Sequence, residues 1–314
     1  MGQVLVTGGC GFIGSHIVKA LLEQGMSVRV FDNLSTGRLS NINSICDEIE
    51  LIEGDLRDTS LIHQSMKNIE VVYHQGALAS VPRSVEDPKT THEVCVTGTL
   101  NVLEAAKDNQ VRRVVYAASS SAYGSLEAPT KTEMSPLLPC SPYAAAKLCG
   151  ELYCQAFTEV YGIETVRLRY FNVFGPNQDP NSPYSAVIPL FITAMLQGQT
   201  PRIFGDGQQT RDFTFVDNVV KANLLAADTP EVAGKVYNIA MGESISLLGL
   251  IERINKLLET EFVPIHAPAR LGDVRHSRAD ISKARQELNY NPEVDFQEGL
   301  RRSVEDYRTS YEAS

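Results

Sequence analysis

Basic residues are in short supply: 28 Lys and Arg stand against 38 Asp and Glu, a net charge of -10 over 314 residues. A nucleic-acid binder needs a basic footprint, so no nucleic-acid partner is expected, and the same deficit argues against an anionic membrane surface. Long apolar runs are missing as well. None approaches the roughly 18 residues of a spanning helix, so no membrane partner is expected. The opening residues Met1-Gly2-Gln3-Val4-Leu5-Val6-Thr7-Gly8 carry neither a basic leader nor a signal-length apolar core, and a cytoplasmic location is expected. The six cysteines (Cys10, Cys46, Cys95, Cys140, Cys149, Cys154) follow no disulfide or metal-ligand rhythm, and Cys149 and Cys154 lack companion histidines. Free thiols in a reducing compartment, and no metal, are the expectation. Internal repeats and low-complexity segments are absent too. What is present is an ordinary globular composition, 43% hydrophobic and 21% charged, long enough for one large or two modest domains.

The start of the chain carries the first specific signal. Gln3-Val4-Leu5-Val6-Thr7 is a short apolar strand that runs into Gly8-Gly9-Cys10-Gly11-Phe12-Ile13-Gly14, followed by a helix with Ile13, Ile17, Val18, Leu21 and Leu22 inward and Gly25 closing it. Glycines at 9, 11 and 14 give a tight bend, backbone approach to a pyrophosphate and close helix packing, with the helix N-terminus attracting the negative charge. A second strand, 27–31, ends in Asp32, where an acid accepts hydrogen bonds from an adenosine ribose and repels a 2′-phosphate. NAD is therefore expected over NADP, with Arg38 the one residue favouring the phosphorylated form. A third strand, 49–52, leads to Asp55 and Leu56, placed for the adenine amino group and face. A fourth, 71–73, leads to His74-Gln75-Gly76-Ala77, whose small residues let backbone pass beside a cofactor. Gln75 and Ala77 join the expected cofactor contacts with Gly8, Gly11, Phe12, Ile13 and Gly14, whereas His74 is expected to be structural.

The second signal spans Ser119 to Lys147. The apolar run 114–118 reads as a buried strand ending in Ser119-Ser120-Ser121, and Tyr143 and Lys147 share one face of a following helix. An alcohol releases its carbon-bound hydrogen as hydride only if its hydroxyl proton leaves too. Tyrosine, with a pKa near 10, needs help to accept it. A neighbouring Lys147 ammonium would favour the phenolate, and Ser119 would hold the substrate oxygen. The competing view makes both residues ordinary members of an amphipathic helix. Ser80, in the loop 78–84 at the carboxyl edge of the sheet, is a candidate substrate contact. Helices are expected over 88–109, with Val94, Thr99, Val102 and Ala106 on related faces, and over 142–161, with Leu148, Leu152 and Phe157 available for burial. These two helices are the expected homodimer interface.

Beyond a strand at 163–169 the sequence turns loop-like, and a smaller lobe begins. The expected fold is α/β, a Rossmann-type doubly wound parallel sheet (1–170 plus 212–240) with a second, smaller α/β substrate-binding domain (171–211 plus 241–314) interleaved with it. That lobe should hold a helix near 187–197, a short strand at 202–204 and a helix carrying Leu250, Ile254 and Leu257. Arg211 beside Asp212 and Arg270 beside Asp273 allow two interpretations. They are surface ion pairs worth little, or the arginines are bidentate donors to a diphosphate.

Together these pieces resemble the extended short-chain dehydrogenase/reductase family, and within it the nucleotide-sugar 4-epimerases of the UDP-glucose/UDP-N-acetylglucosamine type. The matching stretches are 7–16, 32–37 (Asp32-Asn33-Leu34-Ser35-Thr36-Gly37), Gly54-Asp55-Leu56, Ser119-Ser120-Ser121, Tyr143-x-x-x-Lys147, Tyr170-Phe171-Asn172 and Arg270-x-Gly272-Asp273. The resemblance implies a tightly held NAD regenerated in each turnover and a UDP-sugar substrate oxidised and re-reduced at C4. It implies catalytic roles for Ser119, Tyr143 and Lys147, and cofactor contacts from Asn33, Thr36 and Gly37. Substrate contacts are implied for Ser80, Ser120, Ser121, Asn172, Arg211, Arg270 and Asp273. Cys95 stands where the family usually has Asn. Ser277 stands where a small residue resembles the epimerases that accept N-acetylated sugars. The serine block lacks the Asp-Glu pair of the 4,6-dehydratases and the glutamate of the decarboxylases. The remaining rivals are a UDP-glucuronate 4-epimerase, using Arg83 or Arg275 near the sugar, a nucleotide-sugar reductase, and an NAD-binding sensor without activity.

Overall fold

The computed structural model describes residues 2–180, 186–268 and 275–312. Its first part alternates strands and helices: β1 (Gln3–Thr7), α1 (Phe12–Glu23), β2 (Ser27–Asp32), β3 (Ile49–Glu53), α2 (Thr59–Ser65) and β4 (Ile69–His74). Short helices α3 (Val81–Glu86) and α4 (Pro88–His92) precede α5 (Gly98–Asp108), β5 (Arg113–Ser119), α6 (Pro142–Tyr161) and β6 (Glu164–Tyr170). The chain then builds β7 (Val173–Phe174), α7 (Val187–Leu196), β8 (Arg202–Phe204), β9 (Thr210–Arg211) and β10 (Thr214–Phe215), and returns through α8 (Val216–Asp228) to β11 (Val236–Ile239). It ends with β12 (Ile245–Ser246), α9 (Leu247–Leu258), β13 (Ile265–Ala267), α10 (Ser282–Leu288) and α11 (Phe296–Glu312).

Seven strands form one parallel sheet in the order β11-β6-β5-β4-β1-β2-β3. A parallel sheet is covered on both faces, which is why its strands are apolar throughout. Alternation then sorts the side chains. Val4, Val6, Val71, Tyr73, Val115 and Ala117 join one core with Ile17 and Val18 of α1 and Val219 of α8. Leu5, Val72, Val114, Tyr116 and Ala118 join another with Val102 of α5 and Phe157 of α6. The order reverses between β1 and β4, so the crevice at the strands' carboxyl ends lies there. The small-lobe residues Ile188, Phe191, Ile203 and Leu250 extend the first core continuously instead of forming a separate one.

Helix α6 has the bounds its sequence signals. Ser141 caps it by accepting the Ala144 amide at 3.1 Å, Pro142 opens it, and left-handed Gly162 ends it. The helix expected over 88–109 forms over 88–108, with a π-helical turn at Glu93–Thr97 within it. Of the α6 residues available for burial, Phe157 is buried and Leu152 is 57% exposed, along with Tyr153, Val160 and Tyr161 of the same helix. Among the described residues no helix is long and apolar enough to cross a membrane, and no cluster of His, Cys, Asp and Glu is arranged to hold a metal.

Candidate active site

A cleft of about 740 Å³ opens at the β1/β4 switch point. The expected cofactor residues Gly8, Gly11, Phe12, Ile13, Gly14, Asp32, Asn33, Thr36, Gly37, Asp55, Leu56, Gln75, Ala77, Tyr143 and Lys147 all line it. Its floor is shaped for backbone contact. Gly8 has φ +69°, and a Cβ there would lie 2.7 Å from the Gly76 nitrogen. A Cβ on Gly14 would lie 2.1 Å from the Gly8 carbonyl oxygen. Helix α1 starts at Gly11 with no side-chain cap and no acid in its first turn, so its free N–H groups face the cleft end of the glycine turn. These features fit the diphosphate of a dinucleotide.

Asp32, 6% exposed, accepts the Cys10 amide at 2.9 Å and the Leu34 amide at 2.8 Å. Burial raises its pKa and the two amides oppose that rise. Each oxygen keeps a second lone pair, suited to ribose hydroxyls. Arg38 also lines the cleft, but its guanidinium pairs with Asp179 across it at 2.5 Å. Asp55 accepts from Asn33 at 2.9 Å and from Arg57, whose guanidinium holds its carboxyl well below the usual range. His74 is structural, as expected. Its Nε2 lies 3.1 Å from the Thr99 hydroxyl, which itself donates to the Cys95 carbonyl, so Nε2 carries the hydrogen. Its Nδ1 then accepts from Thr7 at 2.7 Å, and burial pushes its pKa down to about 3.

At the other end of the cleft the three catalytic candidates meet. Ser119 ends β5 and caps the turn Ser120–Tyr123, its hydroxyl accepting from the Ser121 amide at 3.2 Å and the Ser121 hydroxyl at 2.9 Å. Tyr143, in the first turn of α6, lines the cleft. Burial raises its phenol's pKa and the buried Cys95 thiol adds to the rise, while the Ser119 hydroxyl lowers it. Lys147 lies one turn on, 4% exposed, with its ammonium 4.6 Å above the centre of the Tyr116 ring. Desolvation lowers its pKa, and Cys95, Cys154 and Glu151 oppose that. Tyr116 is a support for Lys147 that spacing rules did not reveal. Cys95 sits in the π-helical turn and accepts the Leu78 amide on its sulfur at 3.4 Å.

A buried polar network backs this corner. Glu151, one turn beyond Lys147, takes Nε and Nη2 of Arg169, the closest contact 2.8 Å, with both side chains at most 4% exposed. Arg169 also donates to the Tyr123 hydroxyl at 2.9 Å, and that hydroxyl donates to Asn238 at 2.6 Å. The i, i+4 spacing of Lys147 and Glu151 was visible in the sequence, but the partner on β6 was not.

A second cavity of about 290 Å³ lies in the small lobe, lined by Asn172, Arg211, Gln209, Phe204 and Phe213 among others. Asn172 has φ +32° and donates to the Asp212 carbonyl at 2.9 Å. Of the two interpretations of Arg211 beside Asp212, the surface ion pair does not fit. Asp212 is fully buried, its carboxylate taking the amides of Met241, Gly242 and Ala279 at 3.0, 3.1 and 3.0 Å. Ser80 lines the large cleft while capping α3, with the Arg83 amide at 3.2 Å from its hydroxyl. The Ser277 amide donates to the Thr210 carbonyl at 3.1 Å. Arg275 is exposed and paired with Asp206 at 2.8 Å. Arg270 and Asp273 lie outside the described residues.

Comparison with known proteins follows the same lines. Residues 4–240 match the profile of the NAD dependent epimerase/dehydratase family. A putative UDP-glucose 4-epimerase of Methanocaldococcus jannaschii is 41% identical over 304 residues, 96% of this chain and 97% of its own. The solved UDP-N-acetylglucosamine 4-epimerase from Methanobrevibacter ruminantium, in complex with UDP-N-acetylmuramic acid, superposes with a TM-score of 0.94 at 42% identity, covering 98% of this chain and 99% of that one. The UDP-glucose 4-epimerase of Thermus thermophilus, solved with NAD, gives 0.89 at 36%, with coverage of 98% and 99%.

Proposed function

The chain belongs to the NAD-dependent epimerase/dehydratase family, and on that premise we propose that it is a UDP-sugar 4-epimerase interconverting UDP-GlcNAc with UDP-GalNAc and UDP-glucose with UDP-galactose. The observation that carries this reading is the company Tyr143 keeps. Among the described residues the carboxylates lining the cleft are Asp32, Asp55 and Asp179, all belonging to its adenosine side or its rim, and the turn Ser120–Tyr123 that follows Ser119 carries no carboxylate. Dehydration or decarboxylation needs a further acid or base near the sugar, whereas epimerisation at C4 needs one proton acceptor that later returns the proton.

Bound NAD would supply a carbon that accepts a hydride and gives the same hydride back. The chain's own part is positional and protic. Ser119 holds the C4 oxygen against Tyr143, whose oxygen takes the hydroxyl proton and returns it after the 4-keto sugar has turned over its other face. Lys147, fixed by Tyr116, holds the nicotinamide ribose. Asp32 selects NAD, the glycine turn and the α1 N-terminus hold its diphosphate, and the cleft's depth retains it through turnover. The small lobe takes the nucleotide: Asn172, Arg211 and Arg270 the diphosphate, Asp273 the uridine ribose. Ser80, Ser120 and Ser121 contact the sugar, and small Ser277 leaves room for an acetamido group. The division 1–170 plus 212–240 against 171–211 plus 241–314 is thus one of labour. A homodimer would cover the apolar face of α6 with Leu152, Tyr153, Val160 and Tyr161, together with the helical stretch 88–109, and the enzyme works in the cytoplasm.

Arg83, which lines the cleft beside Ser80, supports a second reading as a UDP-glucuronate 4-epimerase, since a guanidinium there suits a C6 carboxylate. Purified holoenzyme incubated with each UDP-sugar separates the two. The proposal predicts the C4 epimers of UDP-GlcNAc and UDP-glucose with no net change in nicotinamide absorbance. Turnover of the glucuronate alone defeats it, and a net change in nicotinamide absorbance points to a reductase.

A further inference from the structure

Arg38 is held beside the Asp32 carboxylate by its own backbone. Its amide donates to the Cys10 carbonyl at 2.9 Å, and the Cys10 amide donates in turn to Asp32 at 2.9 Å. The preceding residue, Gly37, packs so closely that a Cβ there would lie 2.9 Å from both Asp32 oxygens. Asp32, Gly37 and Arg38 all line the cleft. A guanidinium rooted one residue from that contact is within reach of a phosphate on the 2′ oxygen of a ribose held by Asp32, and guanidinium–phosphate pairs are bidentate and strong. Left alone, Arg38 offsets the repulsion by which Asp32 turns such a phosphate away.

Arg38 is not left alone. Asp179 approaches from the far side of the cleft and takes Nη2 of Arg38 at 2.5 Å. The stretch after β7 that carries this acid is pinned to two helices. His16 Nε2 on α1 donates to the Pro176 carbonyl at 3.0 Å, and the Tyr307 hydroxyl on α11 donates to the Gln178 carbonyl at 2.6 Å. Asp179 is thus placed by the fold, independently of Arg38. Asp55, on the same side of the cleft, is already matched by Arg57 at 2.8 Å. The corner that a 2′-phosphate would enter therefore sets two carboxylates, Asp32 and Asp179, against the Arg38 guanidinium. The side chains of the Arg38–Asp179 pair are 50% and 32% exposed, so the pair contributes little to stability, and its consequence is the charge it cancels.

We propose that Asp179 is a specificity-determining residue for the cofactor: by occupying Arg38 it withholds that guanidinium from a 2′-phosphate and keeps the cleft selective for NAD over NADP. This rests on the dinucleotide reading of the cleft and is independent of which sugar is turned over. Asp32 repels the phosphate, and Asp179 removes its counter-ion.

Holoenzyme equilibrated with an excess of both NAD and NADP until its bound content is constant, then washed and denatured, releases dinucleotides that chromatography counts. Wild type is expected to release mostly NAD. In Asp179→Asn the ratio of NADP to NAD should rise by about fivefold or more, because a charge-assisted donor is set free. Asp179→Glu, which keeps the charge, should move the ratio back toward wild type. Asp179→Asn combined with Arg38→Ala should lose the rise, since the gain runs through Arg38. A ratio within about twofold of wild type in the Asn variant overturns the proposal, as does a rise that persists without Arg38. A merely structural role for Asp179 changes the total dinucleotide held and leaves the ratio alone. Should the Asn variant fail to fold, Asp179→Ala must show a rise of the same sign, and an unchanged ratio there is equally fatal. Wild type that holds neither dinucleotide, or prefers NADP, defeats the cofactor reading and this inference together; wild type that holds NAD with unshifted variants defeats the inference alone.

Discussion

Glu151→Leu is expected to be among the most destabilising single changes in this chain. The side chain is 2% exposed and engages Nε and Nη2 of Arg169, itself 4% exposed. Removing it leaves a buried guanidinium with the Tyr123 hydroxyl at 2.9 Å as its nearest remaining acceptor and the Glu133 carbonyl at a marginal 3.4 Å. Breaking one side of such a pair costs about 3–5 kcal/mol, because a charge stays buried without compensation. Against a typical stability of about 5–15 kcal/mol, that is a large fraction. Replacing both partners, as Glu151→Leu with Arg169→Met, removes both desolvation penalties and should recover most of the loss. Urea unfolding of holoenzyme at fixed NAD, read as a midpoint shift at constant slope, measures both variants. A single variant within about 1 kcal/mol of wild type, or a double variant no better than the single one, refutes the reasoning.

Two further outcomes follow. The unfolded chain takes up a proton at position 74 near its ordinary pKa of about 6.5, whereas the folded chain refuses it until about 3. The depressed folded pKa means this contribution is fully present above about pH 6.5 and is lost as pH falls, by up to about 1.4 kcal/mol per unit. His74→Gln should therefore show a flatter loss of stability between about pH 6.5 and pH 5 than wild type, and equal slopes in urea titrations contradict the assignment. Tyr143→Phe removes the proton acceptor and nothing of the glycine turn, so turnover should fall by at least about a hundredfold while bound NAD remains. Unchanged turnover sinks the proton-transfer role.

Much of this was legible because local signals and tertiary packing agree. The Ser141 cap, Pro142 and Gly162 mark α6 at both ends, and continuous apolar strands declare a sheet covered on both faces. The glycine turn and Asp32 mark the cofactor end of the cleft by residue type and spacing alone. What escaped depends on neighbours distant in sequence. Helical spacing gives Leu152 a direction but not a partner to cover it. Charge order left a surface pair of Arg211 with Asp212 open, yet three amides from two remote segments claim the Asp212 carboxylate. The π-helical turn carrying Cys95 has no residue that announces it. The Tyr116 ring that receives the Lys147 ammonium lies on a strand, beyond the reach of helical spacing rules.

The central claim is a closed cycle at C4, in which the hydrogen that leaves carbon returns to the same carbon on the other face. UDP-GlcNAc bearing deuterium at C4 tests it directly when turned over to equilibrium in ordinary water and analysed by mass spectrometry. The account predicts UDP-GalNAc that retains the deuterium at C4. Loss of the label to solvent would contradict it.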